Sequence, residues 1–296
     1  MVDQVTEFAP AKINLSLRVT GRRHDGYHLL DSIVGFAGVG DRLVLTPADE
    51  FSLTITGPMA EGLEAGSGNL VMRAAQALRQ TYPERFAGAA IVLEKNLPVA
   101  SGIGGGSADA AAALRGMISL YEADEIPERE ILKLALSIGA DVPVCVRSTS
   151  ARMSGIGDLI QKITGIPTSP MVLINPGIEV STQEVFQRLD GWFPASASAQ
   201  AVPEFKRPHE LCLWLSTLGN DLEQPAVSMA PEIRTVLDAL DGAKGAMLAR
   251  MSGSGATCFG LFASAEEARA AGDEIGRAHE NWWVAATEIM SDGDGN

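Results

Sequence analysis

The sequence predicts an α+β fold, in which strands and helices are mixed along the whole chain. Residues 11–19, 32–37, 42–46 and 52–56 alternate apolar and polar positions or are rich in β-branched residues, which is typical of a half-buried sheet. Amphipathic helical segments follow, and both types recur to the C-terminus. A chain of 296 residues that is 46% hydrophobic is long enough for one large domain or two closely associated ones.

The first helix is predicted at residues 69–82, because Asn69 is a good N-cap and the apolar residues that follow form one stripe. The other elements are predicted from the same kinds of pattern. Strands are expected at 89–93, 142–146, 171–174, 246–251, 257–262 and 282–288, and helices at 107–121, 127–138, 182–189, 208–218, 231–240 and 264–278. The Ala-, Ser- and Pro-rich residues 194–208 are expected at the surface.

Charge and composition exclude several classes of protein. The formal net charge of −14 argues against a nucleic-acid binder, which would carry a basic surface. The sequence shows neither a signal-peptide pattern nor an apolar run long enough to span a membrane, so we expect a cytoplasmic protein without a membrane partner. Three widely spaced cysteines predict buried, reduced thiols. An anionic ligand would need backbone N–H groups and a few well-placed cations.

The most informative segment is a glycine-rich loop, residues 98–107, between a predicted strand and an alanine-rich helix. Four of the five residues 102–106 are glycines. Glycines allow the backbone to approach a ligand closely, and the first N–H groups of a helix lack internal partners. Together they predict a phosphate-binding loop. Ser107 is expected to cap the helix or to turn its hydroxyl to a phosphate or a Mg²⁺ ion, and Asp109 to interact with the helix dipole.

Other interpretations of this loop fit less well. The Walker pattern requires Gly-Lys-Ser/Thr, and the sequence has no such tripeptide. The dinucleotide fingerprint requires glycine or alanine where Ser107 stands, and it opens a βαβ unit rather than following several strands. A flexible turn without a ligand is a third possibility, which the predicted helix directly after the glycines opposes.

Three motifs in order resemble the GHMP kinases, the family of galacto-, homoserine, mevalonate and phosphomevalonate kinases. The glycine loop reads Pro-x-x-x-Gly-x-Gly-Gly-Gly-Ser-Ala and resembles the second family motif. Residues 10–15, Pro-Ala-Lys-Ile-Asn-Leu, resemble the first, and residues 251–257, Met-Ser-Gly-Ser-Gly-Ala-Thr, resemble the third. Ser252 stands where the family commonly has threonine, and Val99 begins a stretch where glycine or alanine is often found.

The resemblance implies a two-domain GHMP-kinase fold with its active site in the cleft between domains, which we place at residues 1–165 and 166–296. It implies an ATP-dependent kinase that uses Mg²⁺, with Lys12 and Asp141 as catalytic residues. A carboxylate would take the proton of an acceptor hydroxyl, and a lysine would hold the hydroxyl and neutralise developing charge. Without the resemblance, a structural ion pair or a helix C-cap feature is the better explanation of these two residues.

The resemblance also implies two sets of binding residues. Those assigned to ATP are Asn69, Lys95, Pro98, Val99, Ala100, Ser101, Gly102, Ile103, Gly104, Gly105, Gly106, Ser107 and Ala108, with Ser107 as a possible metal ligand. Those assigned to the acceptor are Asn14, Tyr27, His28, Thr182, Phe186, Gly253, Ser254 and Gly255. The segment Gly26-Tyr27-His28 further resembles family members whose acceptor is a sugar alcohol linked to cytidine diphosphate. His28 would bond to the edge of cytosine, with Tyr27 and Phe186 on its two faces.

Three alternative functions remain open at this point. A homoserine- or mevalonate-type kinase has the same motifs, but Gly26-Tyr27-His28 opposes it. A nucleotide-binding regulator without catalysis is opposed by the presence of both Lys12 and Asp141. A dinucleotide-dependent oxidoreductase is the third, and a fluorescence titration with NAD(P) would test it.

Overall fold

The computed structural model describes residues 2–189 and 201–291, and the chain forms two compact units that are each built from several segments. Unit 1 contains Met1–Ala11, Gly40–Val99 and Gly104–Ser148. Unit 2 contains Lys12–Val39, Ala100–Ile103 and Thr149–Asn296. The long strands β1 (Val5–Arg22) and β2 (His28–Ala48) pair with each other and supply residues to both units. The division into domains at residue 165 stays a prediction.

Unit 1 packs helices against a small sheet. Strand β4 (Gly88–Glu94) runs antiparallel to the second half of β2 and parallel to β3 (Ser52–Thr56). The sheet buries Leu43, Leu45, Ile91 and Leu93. Its helices are α1 (Leu70–Thr81), α2 (Gly105–Leu120), α3 (Glu128–Ile138) and α4 (Val142–Arg147). Helix α2 packs against α1, α3 and α4, and its alanines let these helices approach closely.

Unit 2 is built on an antiparallel sheet. Strand β7 lies between β10 and β9, β9 pairs with β8, and Ile289 of β10 pairs with Ala37 of β2. The first half of β2 also pairs with β5, which pairs with β6. The strands are β5 (Ala151–Gly155), β6 (Leu159–Lys162), β7 (Ser169–Asn175), β8 (Ala246–Met251), β9 (Cys258–Phe262) and β10 (Trp283–Ile289). The helices are α5 (Thr182–Gln187), α6 (Pro208–Ser216), α7 (Glu223–Met229), α8 (Glu232–Asp241) and α9 (Ala265–Ala278).

Most predicted elements are confirmed to within a few residues, but residues 142–146 are helical rather than extended. The valines there favour a strand, yet Pro143 lies at the start of α4, and the helix buries Val142, Val144 and Cys145 against α2 and α3. Two further differences concern an element boundary and elements that the sequence did not predict. The segments 32–37 and 42–46 belong to the single strand β2, and the short elements β5, β6 and α7 were not predicted.

Several surface and burial predictions can also be compared with the structure. The three cysteines are free and buried, as predicted. Within the surface segment predicted at 194–208, residues 194–200 lie outside the described residues, and residues 201–207 have no helix or strand and are exposed or half-buried. Across the described ranges, none of the helices has the length and apolar character needed to cross a membrane.

Candidate functional site

The glycine loop ends in a helix whose first backbone donors are not used by the helix itself. Gly104 is the N-cap of α2 in a left-handed conformation (φ 65°), and no side chain caps the helix. The first helical hydrogen bond runs from the N–H of Ala108 to the carbonyl of Gly104, at 2.8 Å. The N–H groups of Gly105, Gly106 and Ser107 therefore precede the helical ladder, as an anion site requires. Of the two roles expected of Ser107, the helix cap is wrong, because the loop turns into the helix three residues earlier. Its contact with a phosphate or a Mg²⁺ ion stays a prediction.

Within unit 2, the middle of the loop is clamped by the third motif. Gly102 has φ 77°, and a Cβ atom there would lie 2.6 Å from the carbonyl oxygens of Ser252 and Gly255, so only glycine fits. The Ser252 hydroxyl donates to the carbonyl of Gly102 at 3.0 Å. The N–H of Thr257 donates to the carbonyl of Ser101 at 3.1 Å. These contacts fix the loop backbone before any ligand binds.

The first motif contacts the same clamp. The N–H of Lys12 donates to the carbonyl of Ile103 at 2.9 Å, and the N–H of Asn14 donates to the Ser252 hydroxyl at 3.0 Å. The Asn14 amide donates to Ser32 at 2.7 Å, so this buried side chain is held rigidly. The structure thus brings the three motifs together around residues 101–103 of unit 2.

Asn220 supports the third motif and was not assigned a role from the sequence. Its amide nitrogen donates to the carbonyl oxygens of Met251 and Gly253, both at 2.8 Å. Its own oxygen accepts from the N–H of Leu222 at 3.0 Å. An Asn-Asp pair directly after a glycine is a turn signal, which could have indicated that this residue braces a neighbouring backbone.

Lys95, which was assigned to ATP, lies in a buried cluster with Asp41 and Asp109 of unit 1. Its ammonium group is hydrogen-bonded to both carboxylates, and the distance to Asp109 is 2.7 Å. A Cβ atom at Gly105 would lie 3.2 Å from the Lys95 Nζ, so the cluster sits directly against the first turn of α2. Asp109 itself lies beyond that first turn, so the prediction of a dipole partner was wrong.

Burial dominates the electrostatics of this cluster. It raises the pKa of Asp109 to about 8, with Lys95 acting in the opposite direction and Asp41 adding to the rise. Burial acts to lower the pKa of Lys95, but the charges of Asp109 and Asp41 outweigh it and the pKa is raised. Asp109 Oδ1 is buried with no hydrogen-bond partner in the described structure. One ammonium beside two carboxylates therefore favours a protonated Asp109 at neutral pH.

Two further unit 1 residues with predicted roles, Asn69 and Asp141, lie at the N-cap positions of helices. Asn69 is the N-cap of α1, as predicted, and its side chain accepts from the N–H of Val71 at 2.9 Å. Its amide donates to the carbonyl of Glu64 at 3.1 Å. Asp141 stands at the N-cap position of α4 and is half-buried, but its side chain does not cap that helix.

Half of the residues assigned to the acceptor line a large open cavity of unit 2, named here the Tyr27 cavity, whereas Asn14 and residues 253–255 do not line it. It has a volume of about 1110 Å³, enough for a nucleotide-sized ligand. Its lining includes Arg22, Tyr27, His28, Ile156, Thr182 and Phe186. Thr182 is 2.7 Å from the hydroxyl of Ser254, which links the cavity to the third motif.

Aromatic rings define one wall of the Tyr27 cavity. The rings of His28 and Phe186 are stacked, with centroids 5.0 Å apart and an interplanar angle of 23°. Tyr27 is 62% exposed, so its ring is not needed for the core. Burial, and then the nearby charge of Arg22, lower the pKa of His28. A neutral imidazole offers one hydrogen-bond donor and one acceptor, which suits the amide-like edge of a base.

The chain is similar to known proteins over nearly its full length. The model of the GHMP kinases N terminal domain matches residues 69–149, and that of the GHMP kinases C terminal matches residues 200–281. A protein of Cereibacter sphaeroides named 4-diphosphocytidyl-2-C-methyl-D-erythritol kinase is 48% identical over 278 residues, which cover 94% of this chain and 96% of that protein. The chain belongs to the GHMP kinase family. As a GHMP kinase it is an ATP-dependent phosphotransferase, which removes the oxidoreductase alternative.

Other relatives and solved structures agree with membership in the GHMP kinases. A protein of Paramagnetospirillum magneticum with the same name is 46% identical over 283 residues, covering 96% of this chain and 98% of that protein. A crystal structure of 4-(cytidine 5'-diphospho)-2C-methyl-D-erythritol kinase superimposes with a TM-score of 0.77 at 32% identity, covering 97% and 100% of the two chains. Homoserine kinase from Cytophaga hutchinsonii shares the fold, with a TM-score of 0.68 at 19% identity over 98% and 96%.

Proposed function

We propose that this GHMP kinase transfers the γ-phosphoryl group of ATP to the 2-hydroxyl of 4-diphosphocytidyl-2-C-methyl-D-erythritol, giving the 2-phosphate and ADP in isoprenoid precursor biosynthesis by the non-mevalonate pathway. The observation that carries the proposal is the Tyr27 cavity, where His28 stacks on Phe186 beside the exposed Tyr27. Such a wall suits a flat base. The names of the full-length relatives supply the chemical identity of that ligand.

In this proposal, cytosine lies against the aromatic wall and is read by His28. The neutral imidazole and the neighbouring backbone would pair with the base edge. Thr182 and Ser254, whose hydroxyls are in contact, would direct the rest of the ligand toward the third motif. Asn14 is held by Ser32 and Ser252, so its side-chain oxygen has a fixed position beside Gly253.

Residues 98–108 would hold the phosphates of ATP through backbone N–H groups. Within unit 2, residues 101 and 102 of the loop are held by Thr257 and Ser252. Within unit 1, α2 begins with a first turn that no side chain caps. Because these donors are in place beforehand, little reorganisation accompanies phosphate binding. Backbone donors also explain how a chain of net charge −14 binds a polyanion.

Mg²⁺ would be held mainly by the phosphates. Within residues 2–189 and 201–291 no group of three or more His, Cys, Asp or Glu side chains is arranged to hold a metal. This fits an ion that keeps several waters and takes only one or two protein ligands beside nucleotide phosphates. Ser107, in the first turn of α2, is the residue we propose for that role, and the ion would neutralise charge on the β- and γ-phosphates.

Asp141 and Lys12 are proposed to act on the acceptor hydroxyl. The Asp141 carboxylate would accept the hydroxyl proton as the oxygen attacks phosphorus. The Lys12 ammonium would hold that oxygen and stabilise the charge that develops on the moving phosphoryl group. Lys12 is only 4% exposed, and its backbone is bonded to Ile103 of the glycine loop, which fixes its place relative to that loop.

A coupled ADP-release assay across candidate acceptors tests the proposed function. We expect rapid ATP- and Mg²⁺-dependent turnover with 4-diphosphocytidyl-2-C-methyl-D-erythritol, and background rates with homoserine and mevalonate. Preferential turnover of homoserine or mevalonate would replace the proposal with the corresponding same-fold kinase. Nucleotide binding without turnover of any acceptor would favour the non-catalytic regulator.

A further inference from the structure

The charges that line the Tyr27 cavity come from a single turn, residues 22–28. Arg22 and Asp25 are its charged lining residues in the part of the chain that the structure describes. The Asp25 carboxylate is compensated, because it accepts from the guanidinium of Arg23 at 2.7 Å. Arg22 therefore leaves the cavity wall with a net positive charge, on a chain whose formal net charge is −14.

Arg22 is held at the turn but is not neutralised there. Its Nε donates to the carbonyl of Gly26 at 3.2 Å. Over the described ranges no ion pair joins Arg22 to a carboxylate. A guanidinium carries five N–H donors in a planar fork, so the group keeps donors that can face the cavity. The same hydrogen bond closes the turn that presents Tyr27 and His28.

The other elements around the Tyr27 cavity do not cancel this charge. On α5, Glu184 pairs with Arg188 at 3.8 Å, and neither lines the cavity. In the β5–β6 turn, Asp158 accepts from the N–H of Ile156 at 3.0 Å and also lies outside the lining. The lowered pKa of His28, caused first by burial and then by Arg22, agrees with a positive charge that is felt inside the cavity.

We propose that Arg22 is a specificity-determining residue of the Tyr27 cavity, whose guanidinium binds a phosphate group of the ligand whose base lies against His28 and Phe186. The planar fork matches two phosphate oxygens, which a base carbonyl does not offer. A local cation also offsets the repulsion between an acidic chain and an anionic nucleotide. This inference rests on the proposed function, since it takes a cytidine nucleotide as the occupant.

Removing the charge and truncating the ligand together test the proposal. Binding of cytidine, CMP and CDP would be measured by isothermal titration calorimetry for the wild-type protein and Arg22→Gln. We expect CMP and CDP to bind about three- to tenfold more weakly to the variant, the range for a partly exposed charge-assisted contact. Cytidine should bind equally to both proteins, and the difference for CDP should shrink between low and high salt.

Arg269→Gln is the matched control. Arg269 lies on α9, is exposed like Arg22, and likewise donates from Nε to a backbone carbonyl, that of Ala265, at 3.2 Å, but it does not line the cavity. The substitution Arg269→Gln should leave the affinities for cytidine, CMP and CDP unchanged. Arg22→Lys, which keeps the charge, should recover part of the affinity for CDP.

Each contrary outcome overturns the inference. Equal weakening of all three ligands would mean that Arg22 acts on the base or on the turn. Unchanged CDP binding in Arg22→Gln, or no binding of any of the three ligands by the wild-type protein, would also contradict it. These binding measurements need no turnover. The inference about Arg22 can therefore fail while the kinase assay succeeds, and it can hold while the kinase assay fails.

Discussion

The hydroxyl of Ser252 donates to the carbonyl of Gly102 at 3.0 Å, joining two motifs that are 150 residues apart in the sequence. The same hydroxyl accepts from the N–H of Asn14. One small side chain therefore ties the first and third motifs to the glycine loop. The conformation of residues 101–103 of the glycine loop depends on these tertiary contacts and does not arise from the loop sequence alone.

Gly102→Ala should disrupt this clamp. A Cβ atom would meet the carbonyl oxygens of Ser252 and Gly255 at 2.6 Å, and the positive φ adds strain. We expect a loss of about 1–3 kcal/mol in the free energy of unfolding and weaker ATP binding. Chemical denaturation and a nucleotide titration would measure the two effects. Gly68→Ala, where a Cβ meets nothing within 4 Å, should change neither, and equal behaviour of the two variants would contradict the clamp.

Asp109→Asn should remove a pH dependence of stability. The folded-state pKa of Asp109 is raised from 3.8 to about 8, so the folded protein binds an extra proton between these values and loses stability as the pH rises through that window. Asparagine resembles the protonated acid at every pH. The melting temperature of Asp109→Asn relative to wild type should therefore increase from pH 6 to pH 9. Asp273→Asn, at an exposed position on α9, is the control. A difference between Asp109→Asn and wild type that stays constant from pH 6 to pH 9 would contradict a raised pKa of Asp109 in that range.

Phe186→Ala should weaken acceptor binding selectively. Removing the ring deletes the partner of His28 and one wall of the Tyr27 cavity. We expect KM for the cytidyl acceptor to rise about tenfold, with KM for ATP unchanged. Phe205→Ala is the matched control, because Phe205 also packs on an aromatic ring, Trp214, with centroids 5.3 Å apart, outside the cavity lining. An equal rise of KM for ATP and the acceptor in Phe186→Ala would argue against a role in base binding.

Asp141→Asn should abolish catalysis and spare nucleotide binding. The substitution keeps the shape of the side chain but removes the proton acceptor, so we expect kcat to fall by about 10²- to 10⁴-fold. The dissociation constant for ATP should stay within about twofold, since the backbone donors of residues 98–108 are intact. Asp124→Asn, an exposed position after α2, serves as the control. Wild-type turnover by Asp141→Asn would exclude Asp141 as the base.

The sequence predicted the elements that carry their own local signals. Asn69 was placed as an N-cap because its side chain and the apolar stripe of α1 are both local. The strand prediction for residues 142–146 was wrong. Three valines favour a strand there, whereas packing of α4 on α2 and α3 selects a helix. Propensity is a weak guide wherever a short segment is buried on all sides.

The site was predicted less completely than the fold. The glycines of the loop led to the proposal of a phosphate site, but Gly104, and not Ser107, stands at the N-cap of α2, because the left-handed turn comes first. The partners of Lys95 lie 54 and 14 residues away in sequence, and no local pattern links three charges that meet only after folding. The proposed role of Arg22 was missed for a similar reason. The charge it contributes to the cavity depends on the pairing of its neighbours, such as Asp25 with Arg23, which appears only after folding.

The most direct test of the central claim is phosphorus NMR of a reaction containing the enzyme, ATP, Mg²⁺ and 4-diphosphocytidyl-2-C-methyl-D-erythritol. The proposed function predicts a new phosphomonoester resonance whose intensity grows in a one-to-one ratio with the ADP formed. The resonances of the acceptor's diphosphate should keep their total intensity. Formation of ADP with inorganic phosphate alone, or no consumption of ATP, would contradict it.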